Sequence, residues 1–274
     1  MQGTDEHFQV QLCRLYPHIY NVMRRLVQEY DNAFNNITQT KETGIFCISA
    51  VFGRLCHGDK AHFDSNLAIS EINTIFTQLN SFDSWDSISD WFLQYEYRVG
   101  SNTNVRVSYE NKRQVIRTIT ERKLSAIDCS YRQANAAQKV SDSLTRICMT
   151  WEQEAAAMSE LASFGSVQVS MRKYFVIRSS NMQSVSFRFE LIQYWEGETT
   201  EEAEKNMRTN IPLCSFRCEA VTNASVVLST AEKSVLFVSL LLKMQDFIDI
   251  PVYTRLLHCN DRVSPYIPIF EIVA

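Results

Sequence analysis

The residues of this chain that could do chemistry are arginines and glutamates spaced two apart. Arg106 falls on one face with Ser108, Arg146 with Thr150 and Glu152, Arg188 with Glu190, and Arg217 with Glu219. Arg178 continues a face with Ser180, and Arg122 or Lys123 ends the segment that begins near Val115. Gln94-x-Glu96-x-Arg98 has the same alternation. Side chains at i, i+2 and i+4 of a strand point the same way, so the polar face of nearly every strand candidate holds a guanidinium, often beside a carboxylate. Guanidinium groups grip phosphate oxygens through paired, charge-assisted hydrogen bonds. Carboxylates hold hard divalent cations and set the charge around a reacting phosphoryl group.

Other routes to phosphate are closed. The chain has 274 residues with 7 Gly and 5 Pro, where average usage gives roughly 33 of the two together. The glycines, at 3, 44, 53, 58, 100, 165 and 197, can spell neither G-x-G-x-x-G nor G-x-x-x-x-G-K-[ST]. Any anion must be held by side chains. A net charge of −4 gives no global basic excess to attract nucleic acid or acidic membrane.

Remaining constellations point elsewhere. Cys56, His57 and His62 fit no standard metal spacing. His258 and Cys259, adjacent on a strand, would face opposite ways. Tyr95, Tyr97 and Tyr109 could stack bases or simply pack. Asp83, Asp86 and Asp90 with Trp85 and Trp91 read as a capped turn and helix start. Eight cysteines without a C-x-x-C pair, and no basic-then-apolar leader, lead to the expectation of a reduced, intracellular setting, nuclear or cytoplasmic. The longest strongly apolar run, Val235 to Leu242, is broken by Ser239 and is far short of the ~20 residues a spanning helix needs. No membrane association is expected.

The elements that must position the charged faces follow from periodicity. Phe8, Leu12, Leu15, Ile19, Val22, Leu26 and Tyr30 recur at helical spacing from Glu6 to about Asn36. Gly44 to Leu55 reads as a buried strand, and Ser70 to Leu79 as a helix capped by Ser70. From Trp91 the period becomes two: 91–99, 104–110, 115–124, 144–152, 169–179, 185–195 and 214–221 read as strands. Between the last two, 199–207 reads as a helix capped by Thr199 or Thr200, and 230–246 as an amphipathic helix. The expectation is an α+β chain forming a single domain over 1–274, with a helical region over 1–40, a barrel over 44–221, and a helix and tail over 222–274. Two arrangements fit. The charged faces could look into water from a half-exposed antiparallel sheet. Alternatively the sheet closes into a barrel with those faces inside and the terminal helices covering its apolar exterior.

The order of these segments resembles the triphosphate tunnel metalloenzymes, specifically the metal-dependent RNA 5'-triphosphatases of the mRNA capping enzyme beta-subunit type. The resemblance runs from about Gly44 to Val221. It rests on AVFGRL (50–55), VRVSYE followed by TERKLSAID (120–128), TRICMTWEQE (145–154), SFRFELIQYWEG (186–197) with the EEAE helix behind it, and FRCEAV. It implies an antiparallel closed eight-stranded β-barrel, a tunnel with flanking helices at both ends of the chain. The activity implied is removal of the γ-phosphate from 5'-triphosphate RNA with Mg²⁺ or Mn²⁺. Phosphate would be bound by Arg106, Lys123 (or Arg122), Arg178 and Arg188, with Glu152 and Glu190 catalytic and Glu219 and Glu96 on the metal. The implied partners are the 5'-triphosphate end of RNA and a guanylyltransferase or other capping or transcription subunit.

Two strands depart from the pattern. The first should carry Glu-x-Glu just before Phe52-Gly53, and the chain has Cys47 and Ser49 there. The last should carry alternating glutamates and has Arg217 and Glu219. The alternative to hydrolysis is therefore a catalytically inactive tunnel-fold subunit or scaffold in a capping or transcription complex. Interior placement of Cys47 and Ser49 favours the inactive reading, whereas Glu96 facing Glu219 across the tunnel preserves an altered site.

Overall fold

The structure, a computed structural model, describes residues 19–40, 43–56, 62–99, 102–110, 113–133, 143–155, 165–179, 182, 184–222, 228–248 and 268–272. Helices are α1 (Ile19–Thr40), α2 (Ile69–Ser81), α3 (Thr200–Thr209) and α4 (Thr230–Ile248). Strands are β1 (Ile45–Cys56), β2 (His62–Asp64), β3 (Ser87–Ile88), β4 (Phe92–Arg98), β5 (Thr103–Glu110), β6 (Arg113–Gln133), β7 (Ser143–Ala155), β8 (Val167–Arg178), β9 (Val185–Gly197), β10 (Leu213–Thr222) and β11 (Pro268–Ile272).

The sheet closes. Strands run in the order β10-β9-β8-β4-β5-β6-β7-β1, and β1 pairs again with β10, so eight antiparallel strands form a complete ring. Closure removes every edge from the ring; β2, β3 and β11 pair outside it, on β1, β8 and β6. Closure also decides between the two arrangements open from sequence: the alternating faces of these strands become an inside and an outside.

The outside is apolar. Ile48, Ala50, Phe52, Ile147, Met149, Phe175, Phe187, Phe189, Leu191, Phe216 and Cys218 are all buried there in one core with residues of α1, α2 and α4. Helix α4 is apolar over most of its circumference, and Leu236, Phe237, Leu240, Leu241 and Met244 are essentially inaccessible. Burying side chains of that size contributes roughly 1.5–3 kcal/mol each, which is why so apolar a helix lies on the barrel. Lys233 on α4 pairs with Asp31 on α1 at 2.6 Å, joining the two covering helices. No helix among the described residues is long and apolar enough to cross a membrane.

Several elements differ from the periodicity reading. Helix α2 is not capped by Ser70: Ala68 stands at the N-cap, and the Glu71 carboxylate accepts its backbone N–H at 2.9 Å. The aspartates at 83–90 do not start a helix. Trp85 packs on Phe175, Phe189 and Phe247, and the chain runs on as β3. Strand β6 is longer than its clear alternation because a bulge between Lys123 and Ser125 shifts the register and spoils the period. The N-terminal helix is described from Ile19; residues 6–18, together with His57, His258 and Cys259, lie outside the described residues.

Gly53 is where β2 lies against β1. A Cβ there would sit 2.3 Å from the Asp64 carbonyl oxygen and 2.5 Å from the Phe63 ring. Gly53→Ala is expected to lower unfolding free energy by ~1–3 kcal/mol through overpacking; an unchanged urea midpoint would contradict this close approach.

Candidate functional site

Cross-strand partners in a sheet point the same way, so the registers can be followed round the ring. Glu96 pairs with Arg106, Glu121 with Glu152, Thr150 with Cys47, Ser49 with Glu219, Glu219 with Arg188, Arg217 with Glu190, and Glu190 with Tyr174. All of these face the interior, together with Arg172, Ser170, Gln94 and Ser108.

Inside, seven of the charges form one chain, while Arg146 and Asp128 pair separately across β7 and β6. Arg217 Nε donates to one oxygen of the Glu190 carboxylate, and Arg172 Nη1 donates to the other at 2.9 Å. Arg172 Nη2 lies 3.9 Å from Glu96, and Arg106 Nε donates to that same Glu96 oxygen at 3.1 Å. Arg106 then reaches Glu121 through Nη2 at 3.4 Å and Glu152 through Nη1 at 3.5 Å. These contacts join β10, β9, β8, β4, β5, β6 and β7, seven of the eight ring strands. Arg188 and Glu219 form a further pair between β9 and β10, with the Arg188 guanidinium 4.8 Å above the Tyr174 ring.

The electrostatics follow from this lattice. Burial acting alone would raise the Glu190 carboxyl, but Arg217, Arg172 and Arg188 outweigh it and bring it down to about 2. Burial raises the Glu121 carboxyl; Arg106 opposes the rise, while Glu152 and Glu96 add to it. Tyr174 is pushed up to about 12 by burial and Glu190. On β1, burial followed by Glu152 and Glu219 pushes the Cys47 thiol well up, against the pull of Arg188. Cys47 is therefore neutral and a poor ligand for a hard ion.

The donor set does not fit a divalent ion. Mg²⁺ and Mn²⁺ need several convergent hard oxygens, and among the described residues no group of three or more His, Cys, Asp and Glu is placed to hold one. Glu96, Glu121, Glu152, Glu190 and Glu219 are each engaged by a guanidinium. Cys47 and Ser49, where carboxylates were expected, face the interior. No described contact joins Glu96 to Glu219.

Of the residues singled out in sequence, Arg106, Arg188, Glu96, Glu152, Glu190 and Glu219 all line this interior. Lys123 is also on the interior side of β6 but is exposed, while Arg122 faces out beside Trp151. Arg178 sits at the end of β8 with its side chain 82% exposed, 3.9 Å from Asp86. Tyr95 lies on the outer face, against Tyr97 and Tyr109, and donates to Glu204 of α3 at 2.9 Å. Sequence reasoning did not single out Arg172 or Glu121. Arg172 was obscured by a strand with three basic residues, of which it alone is buried and bound to Glu190. Glu121 was obscured by Arg122 and Lys123, and its signal was the alternation Glu121-x-Lys123.

A ring of eight antiparallel strands with charges inside and helices over an apolar outside is the tunnel-barrel class of protein. Among solved structures the chain is similar to the S. pombe Pct1 RNA triphosphatase in complex with the Spt5 CTD, with TM-score 0.50 and 14% identity over 81% of this chain and 89% of that one. It is also similar to the Mimivirus capping enzyme triphosphatase, with TM-score 0.49 and 11% identity over 84% and 97% of the two chains. At this identity the likeness to the first of these shows a shared fold and nothing more. No family model and no curated protein matches the sequence.

Proposed function

We propose that this chain is a tunnel-fold subunit of an mRNA capping or transcription assembly that does not carry out metal-dependent hydrolysis. The observation that carries the reading is the interior face of β1. Cys47 and Ser49 stand on it, and the carboxylates of the other strands are taken up by Arg106, Arg146, Arg172, Arg188 and Arg217. Hydrolysis of a triphosphate by this fold requires Mg²⁺ or Mn²⁺ to polarise the γ-phosphoryl group, and these residues do not supply its oxygens. The likeness to a triphosphatase found in complex with the Spt5 CTD supports a transcription-linked partner; a guanylyltransferase or another capping subunit is part of the proposal. A nuclear or cytoplasmic location accords with that role.

A second reading keeps the 5'-triphosphate end of RNA as a bound ligand without its hydrolysis. It is favoured by two buried donors, Gln94 Nε2 and Arg188 Nε, that have no hydrogen-bond partner. A buried donor left unmatched costs about 1–3 kcal/mol, and a phosphate oxygen would satisfy either one.

Phosphate release from triphosphate-ended RNA tests the proposal. With Mg²⁺ or Mn²⁺ the wild type is expected to show no release above the metal-free background. Metal-dependent release that disappears in Arg188→Ala and Glu219→Ala would overturn the proposal in favour of an active RNA 5'-triphosphatase.

A further inference from the structure

The register of the ring creates a conflict that one residue resolves. Glu121 and Glu152 are direct cross-strand partners, with Glu96 on the same interior face one strand beyond Arg106. Like charges directly opposite each other destabilise a sheet, and in a partly buried interior their repulsion is less screened than in water. Each of the three edges of the Arg106 guanidinium meets a different carboxylate: Nε meets Glu96 at 3.1 Å, Nη2 meets Glu121 at 3.4 Å, and Nη1 meets Glu152 at 3.5 Å. Asn104 Nδ2 fixes the other Glu96 oxygen at 2.9 Å. The guanidinium is planar, permanently charged and forked. One side chain on β5 thus satisfies acids from β4, β6 and β7, one on each nitrogen, and among the described residues these acids make no group placed to hold an ion.

We propose that Arg106 is the built-in cation of this tunnel, filling among Glu96, Glu121 and Glu152 the charge-neutralising place that a bound divalent ion would otherwise have to fill. The inference rests on the reading of a tunnel that works without metal and deepens it. Beyond lacking ligands on β1, the interior carries its own counter-charge on the opposite wall, so its folded state is independent of divalent ions.

Thermal unfolding of the full chain with and without Mn²⁺ tests this in four proteins. The wild type is expected to melt at the same temperature in both conditions. Arg106→Gln is expected to melt at least ~5 °C lower without metal and to regain ~5 °C or more with Mn²⁺, as the freed carboxylates close on the ion. Arg106→Gln/Glu121→Gln, which removes one charge of each sign, should recover most of the loss and give up the Mn²⁺ response. Arg106→Lys, which keeps the charge without the fork, should melt within a few degrees of wild type.

If Arg106→Gln does not fold, folding of the double variant and of Arg106→Lys still supports the proposal. It is overturned if Arg106→Lys is as damaging as Arg106→Gln, if neutralising Glu121 restores nothing, or if Mn²⁺ stabilises the wild type and not Arg106→Gln. Metal-dependent phosphate release from the wild type, with the charge pattern of the variants intact, would sink the proposed function and leave this inference standing. Absent release together with an absent charge pattern would sink only the inference.

Discussion

Glu190→Gln is expected to lower the unfolding free energy at neutral pH by ~3–5 kcal/mol, a large loss for a change of one atom. Glu190 is 1% exposed and stands between Arg172 and Arg217, one guanidinium on each oxygen. Neutralising it leaves two guanidinium groups inside the barrel without their shared counter-charge, and breaking a buried ion pair from one side has a cost of this order. The amide can accept from one arginine, but it turns its N–H₂ towards the other. For a chain of this size the melting temperature should fall by roughly 10 °C.

The pH dependence carries the same signature. The Glu190 carboxyl is lowered to about 2 in the folded state from an ordinary 4.5. A depressed carboxyl stabilises the fold above its unfolded value, and that contribution is lost as the pH falls towards its folded value. The shift corresponds to ~3 kcal/mol, present in full above about pH 4.5 and removed progressively down to about pH 2. The wild type should thus lose stability through this window more steeply than Glu190→Gln, and the two urea unfolding curves should converge at low pH. Parallel curves, or a loss below ~1 kcal/mol at pH 7, would mean that the Arg172 and Arg217 charges are neutralised elsewhere.

The barrel was legible in the chain because its strands are half apolar and half charged, and alternation is a local property that sequence records directly. Arg106, Arg188, Glu152 and Glu190 could be sorted onto polar faces in this way. Closure was less legible. It depends on β1 pairing with both β7 and β10, a contact between distant segments that no single strand encodes. Arg172 and Arg178 show the limit for individual residues. They share a strand and a face, yet one is buried against Glu190 and the other lies at the exposed strand end beside Asp86. Which end of a strand lies deep in the ring is set by the stagger between neighbours, and the composition of the strand does not contain it. The bulge after Lys123 had a similar effect, since one inserted residue reverses the apparent face of everything after it.

The interior face of β1 makes the sharpest expectation. Cys47→Glu/Ser49→Glu restores two carboxylates at positions that register opposite Thr150 and Glu219 and that feel Glu152 and Glu219 electrostatically. Without metal these charges face existing acids, while Arg188 already engages Glu219 and Arg106 already engages Glu152; Lys123, in register with Thr150 on the same face, offsets only part of the repulsion. The double variant should therefore be less stable than wild type by ~3–5 kcal/mol in a chelating buffer. With Mn²⁺ the sign should reverse, because the added oxygens and Glu219 would converge on one hard cation, and saturating ion should recover ~5 °C or more of melting temperature. A protein that loses stability in chelator and regains it with Mn²⁺ would locate the missing cation site on β1 and assign its loss to these two side chains. A double variant as stable as wild type in chelator would show that the two positions do not confront Glu152 and Glu219. One destabilised but indifferent to Mn²⁺ would remove β1 from any metal-binding role in this chain.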